Sequence, residues 1–138
     1  MNTQHKPTYI SLFSSAGVGC YGFKMAGFDC IATNELLERR LNIQRYNQKC
    51  KYPGGYICGD ITQEQTKKLL YDQLELWKAK EHLSRVDVVI ATPPCQGMSI
   101  ANQKKTDTEI VRNSLVVESI KIIQKINPRF FVFENVPA

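Results

Sequence analysis

The sequence of 138 residues lacks several features that would assign it to common classes of protein. No uninterrupted apolar run approaches the roughly 18 residues that a membrane-spanning helix needs, and the amino terminus lacks the basic-then-apolar pattern of a signal peptide. No internal repeat, low-complexity tract or linker rich in glycine and serine divides the chain. We therefore expect one globular domain in the cytoplasm, with neither secretion nor a membrane span.

Cysteine and histidine are too few and too scattered for a disulfide framework or a zinc site. The five cysteines are odd in number, irregularly spaced and without a C-x-x-C pair, and no nearby histidine completes a zinc set. His5 lies in the amino-terminal tail and His82 at a polar helix end, so neither offers a base for a catalytic cysteine. This distribution favours a reducing compartment and argues against a cysteine–histidine hydrolase.

Basic residues outnumber acidic ones. Eighteen Lys and Arg against thirteen Asp and Glu give a net charge of +5. Such a balance favours a polyanionic partner through long-range attraction and counterion release. An ordinary solvated basic surface gives the same count, so charge alone leaves both interpretations open.

Short β-rich runs alternate with longer amphipathic stretches, which is typical of βαβ units. Five strands separated by helices predict an α/β domain with a doubly wound, mostly parallel sheet and right-handed crossovers. The predicted strands are Tyr9–Phe13, Cys30–Thr33, Tyr56–Cys58, Val86–Ala91 and Phe130–Phe133.

Helical spacing and capping residues predict the helices between these strands. A short helix ends near Ala26, and Asn34 is placed to cap a second helix that Pro53-Gly54-Gly55 closes. Thr106 and Glu109 have the spacing of a capping box for the last helix. The second helix is predicted to present a basic outer face of Arg39, Arg40, Arg45 and Lys49. The third helix is predicted to bury Leu69, Leu70, Leu74 and Trp77. The last helix is predicted to bury Leu115, Val116, Ser119, Ile120, Ile123 and Ile126.

Residues that can carry chemistry follow every predicted strand. Ligands in parallel α/β sheets bind at the carboxyl ends of the strands, so one edge of the sheet gathers these residues. They are the turn from Ser15 to Gly19 after the first strand, then Glu35, Asp60, Cys95 and Glu134 after the next four.

The first three of these positions suggest a cofactor that contains a nucleoside. Gly17 and Gly19 let backbone amides approach a ligand, Glu35 can accept hydrogen bonds from ribose hydroxyls, and Asp60 can accept one from an adenine amine. Acidic residues at helix starts also stabilise the helix dipole, which is the alternative role for both carboxylates.

Cys95 differs from the other cysteines because it lies in a Pro-Pro-Cys-Gln turn rather than in an apolar segment. The prolines fix the local backbone, and amides at a helix start raise the thiolate fraction of a cysteine. If the fourth and fifth strands pair, Cys95 and Glu134 lie within reach of one small planar ring. We interpret them as a nucleophile and an acid.

These residues resemble the ordered motifs of the cytosine-C5 methyltransferases that use S-adenosylmethionine, from about Tyr9 to Val136. The matching segments are LFSSAGVG (12–19), NE (34–35), GDI (59–61), PPCQGMS (93–99), RNSL (112–115) and ENV (134–136). Ser15 and Val18 stand where the family often has glycine.

The resemblance implies the Rossmann-like fold of the S-adenosylmethionine-dependent methyltransferases, S-adenosylhomocysteine as product, and double-stranded DNA as substrate. In the implied reaction the thiolate of Cys95 adds to C6 of a flipped cytosine while Glu134 binds the ring. The residues that it assigns to the cofactor are Phe13, Ser15, Ala16, Gly17, Val18, Gly19, Glu35, Asp60, Ile61 and Pro93, and those that it assigns to the substrate are Gln96, Ser99, Arg112 and Asn135. It implies no metal.

The resemblance also predicts that residues 1–138 are a single cofactor-binding and catalytic portion, with a sheet that is incomplete at the carboxyl terminus. The family's glutamine-arginine-arginine motif, target-recognition region and last motifs would follow Val136. We therefore expect a truncated or split bacterial or phage enzyme that is nearly inactive without a complementary carboxyl-terminal part. A transfer-RNA cytosine methyltransferase and a catalytically inactive cofactor-binding module remain the alternatives.

Overall fold

The computed structural model describes residues 6–94 and 107–134, including the side chains of all of these except 107–114. The strands are β1 (Thr8–Leu12), β2 (Asp29–Glu35), β3 (Tyr56–Cys58), β4 (Val88–Ala91) and β5 (Phe130–Phe133). The helices are α1 (Tyr21–Met25), α2 (Glu38–Tyr46), α3 (Glu64–Glu81) and α4 (Asp107–Ile126), with a short 3₁₀ turn at Pro53–Gly55. All strand pairs are parallel, which confirms the predicted α/β class.

The strand order is β3-β2-β1-β4-β5, so the direction in which the chain adds strands reverses between β1 and β4. Loops from neighbouring strands diverge at such a reversal and leave a crevice at the carboxyl ends, where open α/β sheets bind ligands. The register pairs Leu12 with Ala91, so β1 and β4 end side by side. The crevice therefore opens after Leu12 and Ala91.

The core lies on both faces of the central strands. Every residue of β1 and of β4 is buried, as expected for strands that are covered by helices on both sides. Trp77 of α3 is 2% exposed and packs in this core, which confirms its predicted structural role. Leu70 and Leu74 are buried as predicted, but Leu69 is 44% exposed and points away from the core.

The buried face of α4 is rotated relative to the prediction. Ile120 is 46% exposed, whereas Ile122, which was not predicted to be inside, is 1% exposed. Ser119, Ile122, Ile123 and Ile126 are the residues that face the sheet, at the spacing of one helix stripe. The predicted capping box at Thr106 lies outside the described residues.

The prediction for β2 was too short by two residues at its carboxyl end, and Asn34 does not cap α2. Asn34 and Glu35 pair with Ile57 and Cys58 of β3. The Asn34 side chain donates hydrogen bonds to the carbonyls of Ile57 and Gly59, at 3.2 and 3.0 Å, instead of reaching a helix. Leu37 occupies the N-cap position of α2, without a side-chain capping hydrogen bond. Glu35 is thus the last residue of β2, and pairing with β3 holds its backbone in place.

Helix α2 also ends earlier than predicted. Its last residue is Tyr46, well before Pro53-Gly54-Gly55, which forms the 3₁₀ turn that leads into β3. Lys49 therefore lies beyond the helix, and it does not belong to a basic outer face. Its ammonium group turns inward and donates to Gln44 Oε1 at 2.9 Å.

Strand β5 forms one edge of the sheet in the described part of the chain. Phe130, Phe131 and Val132 are exposed to 70%, 65% and 42%, respectively. An apolar edge strand of this kind is a surface on which another strand can pair.

Within the described ranges, no helix is both long and apolar enough to cross a membrane.

The two adjacent leucines of α3 provide a test of the core. We expect Leu70→Ala to lower the free energy of unfolding by about 2–5 kcal/mol because it leaves a cavity under the sheet. The matched change Leu69→Ala, on the exposed side of the same turn, should cost less than about 1 kcal/mol. Urea-induced unfolding measures both, and equal losses would show that the assigned face of α3 is wrong.

Candidate functional site

The loop between β1 and α1, residues 13–20, forms the centre of the candidate site. Its backbone conformation is unusual, because every second residue from Phe13 to Gly17 has a positive φ angle. The angles are 56° at Phe13, 52° at Ser15 and 87° at Gly17. Phenylalanine and serine rarely adopt this left-handed conformation, and it persists only where the surrounding structure holds it. We call this segment the β1–α1 loop.

The end of β2 holds the first part of the β1–α1 loop. The backbone N–H and the hydroxyl of Ser14 both donate to the Asn34 carbonyl, at 2.9 and 3.0 Å. The N–H of Ser15 donates to Glu35 Oε2 at 2.8 Å. From the other side, the hydroxyl of Thr92 donates to the Phe13 carbonyl at 3.0 Å. The loop is thus tied to the ends of both neighbouring strands.

A cavity of about 410 Å³ lies at the carboxyl ends of the strands, within the range that is typical of small-molecule sites. It brings together five residues that the sequence assigned to a cofactor, from the carboxyl-terminal ends of three different strands. Its lining consists of Phe13, Ser15, Asn34, Glu35, Leu36, Leu37, Arg40, Gly59, Asp60, Ile61, Thr92, Pro94 and Leu115.

Glu35 is the most constrained charged group of this cavity, with an exposure of 5%. Its Oε1 accepts hydrogen bonds from the Leu37 N–H and the Arg40 guanidinium, at 3.1 and 3.3 Å, and its Oε2 accepts the bond from Ser15. A carboxylate has roughly four acceptor positions, so about one remains for a ligand hydroxyl. The bond to Leu37 shows that Glu35 also stabilises the start of α2, as the alternative interpretation predicted.

Asp60 lies at the opposite rim, where its carboxylate organises the turn into α3. Its Oδ1 accepts hydrogen bonds from the N–H and the hydroxyl of Thr62, at 2.9 and 2.8 Å. Gly59 precedes it with φ +146°, and a Cβ there would stand 2.6 Å from Thr66 Oγ1. Only glycine therefore fits between β3 and α3. Ile61 is buried at 2% exposure and supports the floor of the cavity.

The remaining predicted cofactor residues do not line this cavity. Ala16, Gly17 and Val18 line a second cavity of about 290 Å³ on the other side of the β1–α1 loop. Gly19 is exposed, and at the end of β4 the cavity wall is formed by Thr92 and Pro94 rather than by the buried Pro93.

Glu134 follows β5 directly and is exposed at the same edge of the sheet. Its N–H donates to the Ala91 carbonyl at 3.1 Å, and β4 and β5 pair in parallel. Cys95, Gln96, Ser99 and Asn135 lie outside the described residues. Arg112 belongs to α4, and its side chain is likewise outside the description.

Three polar residues that anchor the site were missed. Asn34 was interpreted as a helix cap, and Thr92 and Gln44 were not assigned to the site. The available signal for Gln44 was its spacing, since it follows Leu41 by three residues and falls on the same buried face of α2.

Cysteines away from the cavity form a compact pair. Cys30 Sγ and Cys50 Sγ are 3.6 Å apart. Burial raises the pKa of the Cys30 thiol, but the hydrogen bond from Cys50 and the charge of Lys49 oppose it, and the net pKa lies below its ordinary value. The hydrogen bond to Cys30 and burial raise the pKa of Cys50. Among the described residues, no group of His, Cys, Asp and Glu is arranged to hold a metal ion.

Comparison with known proteins gives consistent matches. Residues 8–138 match the family described as C-5 cytosine-specific DNA methylase. The type II methyltransferase M1.HgaI of Avibacterium volantium is 36% identical over 132 residues, which cover 93% of this chain and 34% of that protein. The type II methyltransferase M.AquIA of Picosynechococcus sp. is 36% identical over 127 residues, which cover 92% of this chain and 47% of that protein. The chain thus spans between about a third and about half of the length of these relatives.

A solved structure shares the fold. It is the crystal structure of an E. coli prophage-encoded protein described as a DNA modification methyltransferase. The match covers 96% of this chain and 32% of that chain, with a TM-score of 0.66 and 24% identity. Because the family match extends over nearly every residue of this sequence, the chain belongs to the C-5 cytosine-specific DNA methylase family.

Proposed function

We propose that this chain is the cofactor-binding and catalytic portion of an enzyme that transfers a methyl group from S-adenosylmethionine to C5 of cytosine in double-stranded DNA. The observation that carries the proposal is the cavity of about 410 Å³ between the β1–α1 loop, Glu35 and Asp60, with Glu134 at the same edge of the sheet. Family membership supports the chemistry, and the cavity supports a nucleoside-containing cofactor.

The residues of the cavity fit such a cofactor. Glu35 has about one acceptor position left for a ribose hydroxyl, and the exposed carboxylate of Asp60 can accept a hydrogen bond from an adenine amine. Phe13, Ile61 and Leu115 offer apolar surface to a purine ring. When bound, S-adenosylmethionine supplies an electrophilic methyl group.

The reacting base would be handled by the other half of the sheet edge. The thiolate of Cys95 forms a bond to C6 of the flipped cytosine and pushes electron density towards C5. Acting as the acid, Glu134 hydrogen-bonds N3 and the exocyclic amine, which stabilises the charge that develops on the ring as the thiolate adds. After methylation, loss of the C5 proton to a base lets the thiolate leave C6.

Recognition of a DNA sequence would require protein surface beyond these residues. The chain covers 34% and 47% of the two relatives described above. The exposed apolar side chains of β5 support pairing with a further segment or with a complementary subunit. We therefore propose that activity belongs to the native-length protein or complex, and that this portion by itself is nearly inactive.

Glu35 allows a test of cofactor binding. We expect Glu35→Gln in the native-length protein to weaken S-adenosylhomocysteine binding about tenfold, or about 1.4 kcal/mol, because the charged acceptor for the ribose is lost. The matched control is Glu38→Gln, at the first residue of α2. The Glu38 carboxylate pairs with Arg45 and does not line the cavity. Isothermal titration calorimetry measures both, and equal affinities for Glu35→Gln and the unsubstituted protein would contradict the assigned contact.

Cys95 allows a test of the covalent step. In the presence of S-adenosylmethionine, we expect the native-length protein to form a denaturation-resistant complex with duplex DNA that contains 5-fluorocytosine, because C5 has no proton to lose after methylation. We expect Cys95→Ala to abolish the complex because no thiolate can add to C6. Cys58→Ala is the matched control, since Cys58 is an exposed thiol at the end of β3.

The same experiment separates the alternatives. A complex that survives Cys95→Ala would disprove the assigned nucleophile. Trapping on fluorinated transfer RNA but not on DNA would favour the transfer-RNA enzyme, and no trapping on either substrate would favour an inactive cofactor-binding module.

A further inference from the structure

Gln44 is a polar side chain in a place where an apolar one is expected. It lies on α2 at an exposure of 1%, on the buried face that it shares with Leu41. An amide that leaves water without partners is costly, at about 1–3 kcal/mol for each unsatisfied group. Its presence in the interior is therefore explained only if all of its polar atoms are bonded.

Both ends of the Gln44 amide are in fact bonded. Its Nε2 donates to Ser14 Oγ at 2.9 Å and to the carbonyl of Ser15 at 2.5 Å. Its Oε1 accepts from the hydroxyl of Thr33 at 2.8 Å and from the ammonium of Lys49 at 2.9 Å. The side chain thus joins α2 and β2 to the β1–α1 loop.

Lys49 determines which way the amide faces. Its ammonium also donates to Cys20 Sγ and to Thr33 Oγ1, at 2.8 and 3.0 Å, so its three donors are all used within this cluster. An ammonium group can only donate hydrogen bonds, and it therefore requires the oxygen of the Gln44 amide on its side. The nitrogen of the amide is left to face the β1–α1 loop.

The bond to Ser15 acts on the cofactor cavity without entering it. Ser15 has φ 52°, and its N–H points to Glu35 Oε2, which faces the cavity. The Gln44 amide donates to the carbonyl of the same residue and does not line this cavity. Gly17 completes the fit, since a Cβ at its φ of 87° would stand 3.0 Å from Gln44 Cγ. A strained residue keeps its conformation only when several contacts determine it.

We propose that Gln44 is a positioning residue for the cofactor, which it aligns through the backbone of Ser15 and thereby through Glu35. The inference rests on the proposed function, because it needs the cavity to bind S-adenosylmethionine. It adds a residue on α2 that does not line the cavity of about 410 Å³ but sets the affinity for the cofactor.

Two substitutions separate positioning from packing. Gln44→Glu keeps the shape and the acceptor for Lys49 and Thr33 but replaces the donor to the Ser15 carbonyl with an acceptor. Gln44→Leu removes all four bonds. We expect both to weaken S-adenosylhomocysteine binding by the native-length protein about tenfold, measured by calorimetry well below the melting temperature.

Gln73→Leu is the matched control. Gln73 is also a buried glutamine on a helix, at 4% exposure, but it lies on α3 and does not line the cavity. Its Nε2 has no hydrogen-bond partner among the described residues. We expect this change to leave the affinity within about twofold of the original, whatever it does to the melting temperature.

The outcomes distinguish the inference from the proposed function. Unchanged affinity in both folded Gln44 variants, with normal binding by the unsubstituted protein, would overturn the inference and leave the function standing. Equal losses for the Gln44 variants and Gln73→Leu would also overturn it, since they would indicate general loosening. Absence of binding by the unsubstituted protein would overturn both. If neither Gln44 variant folds, Lys49→Met decides: an affinity about threefold weaker supports the inference, and an unchanged one overturns it.

Discussion

The site depends on how the chain leaves β1. Phe13, Ser15 and Gly17 all adopt left-handed backbone conformations within five residues, which is costly for the first two. Hydrogen bonds from the neighbouring elements stabilise this path, and they come from the end of β2, from Thr92 after β4 and from Gln44 on α2. The loop is therefore shaped by the ends of the sheet, and the cavity lies beside it.

This arrangement gives Glu35 two roles that depend on each other. Its carboxylate binds the loop through Ser15 and the start of α2 through Leu37, while its remaining acceptor capacity faces the cavity. Arg40 partly balances the charge, which lowers the cost of keeping a carboxylate at 5% exposure. Structural and ligand-binding roles of an acidic residue at a strand end are therefore compatible, although from the sequence they were alternatives.

Much of the architecture could be predicted from the sequence because runs of β-branched and aromatic residues mark the strands and helical spacing of apolar residues marks the helices. β3 and β5 have the predicted bounds, and Trp77 lies in the core. The errors concern polar side chains and helix rotation. Asn34 extends β2 because its amide bonds one carbonyl of β3 and the carbonyl of Gly59 just after it. Lys49 turns inward because three acceptors surround its ammonium. Such compensation depends on residues far apart in sequence, which local patterns do not contain. In α4 both Ile120 and Ile122 are apolar, so composition does not decide which of them faces the sheet.

The sheet divides the proposed chemistry into two halves. β1, β2 and β3 end in the residues that would hold a cofactor, whereas β4 and β5 lead to Cys95 and Glu134, which would hold the base. The relative position of donor and acceptor in a methyl transfer then depends on the junction between β1 and β4. That junction is rigid, since every residue of both strands is buried and the Thr92 N–H and hydroxyl extend the pairing to the carbonyls of Leu12 and Phe13, at 3.3 and 3.0 Å. Reacting groups must be held to within fractions of an ångström, and a doubly covered pair of central strands supplies that precision better than loops alone.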